Sequence, residues 1–575
     1  MNTEDLVSNQ RSKVFFICRH EHLRPVLLQF FTRCYIITRR NIILYTQGEC
    51  MKKIKTWLRK DDHDKQLLKM ICAFLFPIAV CALQCLRIGG TLGDVYLPNS
   101  QNNDDLFYFK QIEAVIEYGI PQGFFGFNES QAANLSFASW SPLTLLVGAI
   151  WGKIFGWTPS TYYWCNIIFH SVVLAFFTYQ AKPKLKQMIA AGLLIGLFPG
   201  FSKYTLSCLV ETHMISYMLL FYALALGYIR QPKKWKIIGM FAVGVFLTCI
   251  RPYLVLLIVL PGIFVFIKKK WAGILLTGGI GAVSVVGYFA ISKYLTAPYL
   301  TPLFDKTMFT RFIDEGIISG IRHIASAGLY FFRILFEDMK QSFLTGKFMG
   351  SNYCVLFLLC ILLFGIFIKL YRRRKKDDRK LYAIVYGHYI ATALISVVAL
   401  LALMNKINEG SRHIIPFIIV GFILVSFMKN WAKAWRPALV ALLILFLFYY
   451  YPDDGQDYRI PLRTQERYEE QQAWNELVKD IPISANAPSY ENTVIWTFSD
   501  RVDGNVCHMD WQPILAMPAG MGISCCQVEY IENNWDTLQS RYIITDDGGQ
   551  VSSMCKDAGY EVIAEYDGTV LYQRY

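Results

Sequence analysis

The chain has 575 residues, 54% of them hydrophobic and only 17% charged, with 57 Lys and Arg against 43 Asp and Glu. That composition excludes a soluble globule and describes a multi-pass membrane protein. The net charge of +14 does not imply a nucleic-acid partner, because it is divided by position: residues 452–575 hold 8 basic and 21 acidic side chains (−13), and residues 1–451 hold 49 and 22 (+27).

Residues 1–66 form a basic segment that the charge rule places in the cytoplasm. The first fifty lack the charged start, apolar core and small-residue cleavage site of a signal peptide, and Met51 with KKIKTWLRK after it reads as a more natural start. Residues 1–50 are therefore either a start-site extension or a cytoplasmic amphipathic segment. From 67 to 451, apolar runs separated by short polar turns predict about eleven transmembrane helices, each crossing roughly 30 Å of hydrocarbon.

Basic loops fall at every second turn, at 52–69, 182–186, 230–236, 268–270, 369–380 and 429–436. An excess of Lys and Arg marks the cytoplasmic side, so these belong inside and the alternate segments outside. The outer segments are then 89–160, the turns at Glu211 and Arg251, 292–352, 404–413 and everything beyond 451. This parity requires that 141–156 not cross. Pro142 opens that stretch, Lys153 interrupts it, and about sixteen residues fall short of a span, so it is predicted to be a juxtamembrane helix.

Asp104 and Asp105 stand just after the first span in NNDDLFYFKQIEAVIEYGIP, a short helix that Gly119 and Pro121 can end. Tyr108 lies one turn on, on the face of Asp104. Glu211, with His213 two residues later, sits at the predicted outer end of a hairpin; it is either a solvated tip or a contact to a metal or a donor. Arg251 in LTCIRPYLVLL is an outer-side cation between two apolar runs, either an anchor snorkelling to headgroups or a phosphate clamp. In NKINEGSRHIIPF, Arg412 and His413 occupy the mouth of a span, with Glu409 a turn earlier and Pro416 near the helix start; Arg412 can hold a phosphate there. Residues 292–352, with Arg311, Arg322 and Arg333 among aromatics, read equally as an acceptor-gating loop or as an amphipathic helix on the membrane.

Residues 452–575 are predicted to form an acidic extracytoplasmic α/β domain. Residues 473–479 suit a helix, TVIWTF and RYIITDD suit strands, and EVIAEYDGTVLYQRY suits a hairpin turning at Asp567 and Gly568. Cys507, Cys525, Cys526 and Cys555 would face an oxidising exterior, where one or two disulfides are expected. No Walker-type loop occurs, which argues against a nucleotide-driven pump. A transporter or flippase of lipid-linked saccharides is the rival class, but no internal repeat and no matched pair of Gly/Pro-broken helices supports it.

In their order these features resemble the GT-C superfamily of integral membrane glycosyltransferases, especially the bacterial enzymes related to protein mannosyltransferases and the aminoarabinose transferase of lipid A. The family's Asp-(Asp/Glu)-x-x-Tyr pattern reads here as Asp104, Asp105, Leu106, Phe107 and Tyr108, and SWSPLTLLVGAIWGKIFGW resembles its Pro-initiated juxtamembrane helix. Glu211, Thr212 and His213 are similar to an Asp-Thr-Asp position, with Glu and His replacing the two Asp, and SRHIIPF is similar to an Arg-(Tyr/His)-x-x-Pro pattern. The resemblance implies a polyprenyl-phosphate-linked sugar donor, an extracytoplasmic acceptor such as a cell-surface glycan, and inversion at the sugar. It implies Asp104 as general base with Asp105 in support, Arg412, Arg251, His413 and Tyr108 around the donor phosphate, and a divalent cation at Glu211 and His213 as an open alternative. A non-catalytic member of a polysaccharide-assembly complex is the third reading.

Overall fold

In the computed structural model the described residues are 65–97, 103–119, 121, 125–129, 141–295, 306–345, 349–372, 377–402, 410–426, 462, 464–483, 489–497 and 512–574. Residues 1–50, Glu409, Cys507 and the last apolar stretch before 451 lie outside them. In chain order the helices are α1 (Gln66–Arg87), α2 (Asn103–Tyr118), α3 (Leu145–Phe155), α4 (Tyr163–Ala181), α5 (Leu185–Gly196), α6 (Pro199–Thr205), α7 (Val210–Arg230) and α8 (Lys234–Ile250). They continue with α9 (Val259–Lys268), α10 (Lys270–Leu295), α11 (Lys306–Asp314), α12 (Ile317–Thr345), α13 (Met349–Arg372), α14 (Asp377–Ala402), α15 (Gly410–His413), α16 (Ile415–Ser426) and α17 (Gln465–Val478).

The chain is a multi-pass membrane protein, but the count of spans differs from the about eleven expected. Among the described residues, six helices are long and apolar enough to cross, namely α1, α4, α7, α10 and most of α13 and α14, with a seventh if α5 and α6, bent by 73°, count as one. The last apolar stretch expected to cross lies outside the described residues, and three other runs form shorter helical pieces within them. The apolar run of α8 forms 17 helical residues, Pro252 opens the α9 run as a tight 3-10 turn, and α16 is described over 12 residues up to Ser426, each below the roughly 20 residues of a crossing. Every residue of α16 is buried, so its apolar run serves packing inside the bundle. Hydropathy cannot separate such a core helix from a lipid-facing one.

The juxtamembrane reading of 141–156 matches a short helix. Ser141 caps a turn opened by Pro142, α3 follows with 11 residues, and Gly156 at φ 87° ends it. One face of α3 carries Gly148 and Gly152, against which Ile112 and Ile116 of α2 lie so closely that a Cβ on Gly148 would sit 2.7 Å from Ile112 Cδ1. The opposite face exposes Leu146, Ile150, Ile154 and Phe155. Within 292–352 the described residues include the helices α11 and α12, and α12 packs Phe331, Leu335 and Met339 on the bundle and exposes Ile318, Ile321, Leu329 and Phe336 at helical spacing.

The C-terminal part folds around a six-stranded sheet of order β1-β3-β2-β4-β6-β5. Its strands are β1 (Phe125–Phe127), β2 (Thr493–Trp496), β3 (Gly522–Cys525), β4 (Tyr542–Asp546), β5 (Glu561–Tyr566) and β6 (Thr569–Gln573). Strands β1, β3, β2 and β4 run parallel, and every residue of β2 is buried, as expected of a parallel strand covered on both faces. The predicted hairpin is β5–β6, and its turn has Asp567 at φ 44° and Gly568 at φ 73°, the left-handed pair that a two-residue hairpin requires. Helix α17 extends the expected 473–479 helix toward its N-terminus, where Thr464 caps it by accepting from the Arg467 N–H at 3.2 Å. Cys525, Cys526 and Cys555 are buried free thiols, so the expected disulfides are not formed among the described residues.

The first strand comes from the segment after α1, not from the tail. Phe125–Phe127 pairs with Ile523–Cys525, and Glu129 beyond it is locked in place. Its carboxylate accepts from the backbone N–H of Gln539 at 3.0 Å and of Ser540 at 2.6 Å, and its own N–H donates to Ser524 Oγ at 2.9 Å. The segment after α1 and the tail therefore fold as one body. Helix α2 is sandwiched between two cores: Tyr108 and Ile112 face the helical core, and Leu106, Phe107 and Phe109 face the core under the sheet. Lys110 adds a polar tie, donating to the Met517 carbonyl at 2.5 Å.

Candidate active site

Four connections bring charged side chains to one place. Asp104 stands in the first turn of α2 and Glu211 in the first turn of α7, where the unpaired N–H groups of a helix start favour negative charge. Arg251 occupies the break between α8 and the turn opened by Pro252, and Arg412 and His413 end the short α15. Separations in sequence are as large as 308 residues, between Asp104 and Arg412.

Glu211 is the hub. Its Oε1 pairs with Arg251 Nη2, lies 3.4 Å from His413 Nδ1 and 3.9 Å from Arg412 Nε. Arg251 also donates to Tyr253 Oη at 3.2 Å. Arg412 Nη1 donates in turn to Asp104 Oδ2 at 2.7 Å. Exposure grades across the chain of charges: Arg251 and Glu211 side chains are 0% and 2% exposed, Arg412 16%, and Asp104 36%. A buried ion pair thus anchors the cluster and a carboxylate reachable from outside ends it. Tyr108 is buried one turn from Asp104; burial first, then the Asp104 charge, pushes its phenol well above the usual tyrosine range.

Asp105 has a different place from its neighbour, as two adjacent helical residues point about 100° apart. It is fully buried, and its Oδ1 accepts from the Cys208 N–H at 2.8 Å, while its Oδ2 has no hydrogen-bond partner among the described residues. Burial pushes the carboxyl up to about 7, against the Cys208 bond and the Lys203 charge, which favour ionisation. Asp105 thus fastens α2 to the connection before α7, while Asp104 faces the exposed end of the cluster.

Glu211 and His213, read together from sequence as cation ligands, do not converge. The His213 ring lies with Nδ1 3.3 Å from the Thr144 carbonyl and Nε2 3.2 Å from Asn166 Oδ1, while Glu211 is held by arginine. Two guanidinium groups around one carboxylate oppose a second cation there, so this donor set does not fit a divalent ion. Among the described residues no other group of three His, Cys, Asp or Glu gathers as an ion site. Sequence reasoning also passed over Asn166, Tyr162 and Cys208, which brace the site from behind. An amide inside the apolar run YYWCNIIFH was the available signal.

The fold so defined is a bundle of membrane helices with a sheet that the segment after α1 and the tail build jointly. It is similar in course to the Archaeoglobus fulgidus oligosaccharyltransferase in the apo form, at TM-score 0.43 and 12% identity over 84% of this chain and 69% of that one. It is similar likewise to the archaeal oligosaccharyltransferase AglB from Archaeoglobus fulgidus in complex with an inhibitory peptide and a dolichol-phosphate, at TM-score 0.45 and 12% identity over the same shares. ArnT from Cupriavidus metallidurans bound to undecaprenyl phosphate is similar at TM-score 0.36 and 10% identity, over 87% of this chain and 97% of that one. No protein-family profile matches the sequence, and no curated protein matches it.

Proposed function

We propose that the chain is a membrane glycosyltransferase of the GT-C type, moving a sugar from a polyprenyl-phosphate donor to an extracytoplasmic acceptor such as a cell-surface glycan. The observation that carries this reading is the contact of Arg412 with Asp104 at 2.7 Å, backed by the buried Glu211 and Arg251 pair. It sets a reachable carboxylate beside a guanidinium suited to a phosphate. Asp104 takes the proton from the acceptor hydroxyl, whose oxygen forms the new bond to the anomeric carbon. The bond from that carbon to the phosphate oxygen breaks, and the electron pair leaves with the lipid phosphate, whose charge Arg412 meets. Arg251 acts through Glu211, to which it is bound, and His413 closes the same hub. A single direct displacement inverts the anomeric centre. In this reading the site, the sheet and the C-terminus lie outside and the N-terminus in the cytoplasm.

The testing experiment is sugar transfer by the purified, lipid-reconstituted protein from a panel of polyprenyl-phosphate sugars, beside an Asp104→Asn variant that melts at the same temperature. Donor-dependent product that disappears in the variant is the expected result. Labelled lipid or glycan crossing the bilayer with no donor consumed would instead favour the flippase. Inert donors and no crossing would leave the assembly-component reading.

A further inference from the structure

The link between α6 and α7, residues 206–209, does two things for the site. It presents the Cys208 N–H to Asp105, and it sets the start of the helix whose first turn holds Glu211. The link is buried, so its peptide groups need partners inside the protein. The partners come from α4 and the residue before it. Tyr162 Oη donates to the Leu206 carbonyl. One turn further, Asn166 Nδ2 donates to the Thr205 carbonyl at 3.0 Å and to the Ser207 carbonyl at 2.7 Å. Both of those oxygens can only accept, so the NH2 end of the amide must face them and Oδ1 must face His213. The His213 ring stands between that Oδ1, 3.2 Å from Nε2, and the Thr144 carbonyl, 3.3 Å from Nδ1; a neutral imidazole donates to one of the two.

We infer that Asn166, oriented by the two carbonyls it serves and seconded by Tyr162, is a positioning residue that holds residues 206–209 so that Cys208 meets Asp105 and Glu211 enters the site. The amide acts through hydrogen bonds and not through bulk: a leucine of similar size would fill the space and leave two buried carbonyls without donors. The consequence for sugar transfer rests on the transferase reading, whereas the consequence for Asp105 does not. The groups that face Asp105 are Lys203 from α6, Asp104 from its own helix, Arg412 from α15, the Tyr162 phenol before α4 and the Cys208 thiol of the link, and the Cys208 N–H is its direct hydrogen bond. Loosening the link weakens that bond, which favours the ionised carboxyl, so Asp105 should hold its proton to higher pH.

The test is an infrared pH titration of the protonated carboxyl band in the full-length reconstituted protein, with the band assigned by its loss in Asp105→Asn. Asn166→Leu should raise the midpoint by about one pH unit, a tenfold fall in acidity, and Tyr162→Phe should raise it by less. Under the transferase reading Asn166→Leu also lowers kcat about tenfold. An Asp105 midpoint that stays put in the folded variants overturns the inference. If Asn166→Leu does not fold, the Tyr162→Phe titration decides alone. If the unmodified protein transfers no sugar, the transferase reading fails while the titration still decides this one.

Discussion

Replacing Asp104 by Asn should abolish transfer and yet tighten binding of the lipid phosphate, because the Arg412 guanidinium that would grip the phosphate is engaged by Asp104 at 2.7 Å. The incoming anion must compete with that carboxylate for the same N–H groups. The size of the effect follows from exposure. With side chains 16% and 36% exposed, the pair is screened by solvent on the Asp104 side and contributes about 1 kcal/mol, near the upper end for a surface ion pair. Removing the competing charge should therefore lower the Kd about fivefold. The assay is binding of sugar-free polyprenyl phosphate to the protein in lipid nanodiscs, by native mass spectrometry or fluorescence, for the unmodified chain, Asp104→Asn and Arg412→Ala. Arg412→Ala should weaken binding by more than tenfold, as loss of a charge-assisted contact does. An Asp104→Asn variant that binds the phosphate no better, or worse, would refute the argument that Arg412 is shared between carboxylate and phosphate.

Three further outcomes follow from the same geometry. Arg251→Met leaves the Glu211 carboxylate buried without its main partner, so it should destabilise by about 3 to 5 kcal/mol, and adding Glu211→Leu should recover most of the loss in thermal unfolding. Asp105 is raised from 3.8 to about 7, so the folded state holds a proton that the unfolded chain releases; its stability is full below pH 4 and falls as pH rises to 7. Three pH units correspond to about 4 kcal/mol, so between pH 4 and 8 the stability of Asp105→Asn should gain on the unmodified protein by an amount of that order, measured by denaturation at each pH. Glu129→Ala frees the Gln539 and Ser540 N–H groups and should cost about 1 to 3 kcal/mol. Faster proteolysis of the strand after 124, with the membrane helices intact, would report the detached edge of the sheet.

Local patterns were legible where local chemistry decides them. The β5–β6 turn could be placed because only left-handed residues close a two-residue hairpin, and Asp567 with Gly568 supply them. The shortness of α3 could be foreseen because Pro142 opens it and Gly156 ends it within a few turns. Strand β1 was not legible, since FGF is three residues long and gains its strand character only from pairing with β3. The split between Asp104 and Asp105 was equally hidden, because the pattern Asp-Asp is symmetric and only the docking of α2 between two cores makes one face open and the other closed.

The sequence by itself determined that this is a membrane protein, which residues carry charge beside its apolar runs, and where turns and caps interrupt the chain, because hydropathy, charge and backbone preference act over a few residues at a time. Only the tertiary structure decided which of those charges meet. Arg412 and Asp104 are 308 residues apart, and Glu211 chooses Arg251 over His213, its neighbour in sequence. Burial magnifies such contacts, and burial is a property of the packed helices and of no single segment.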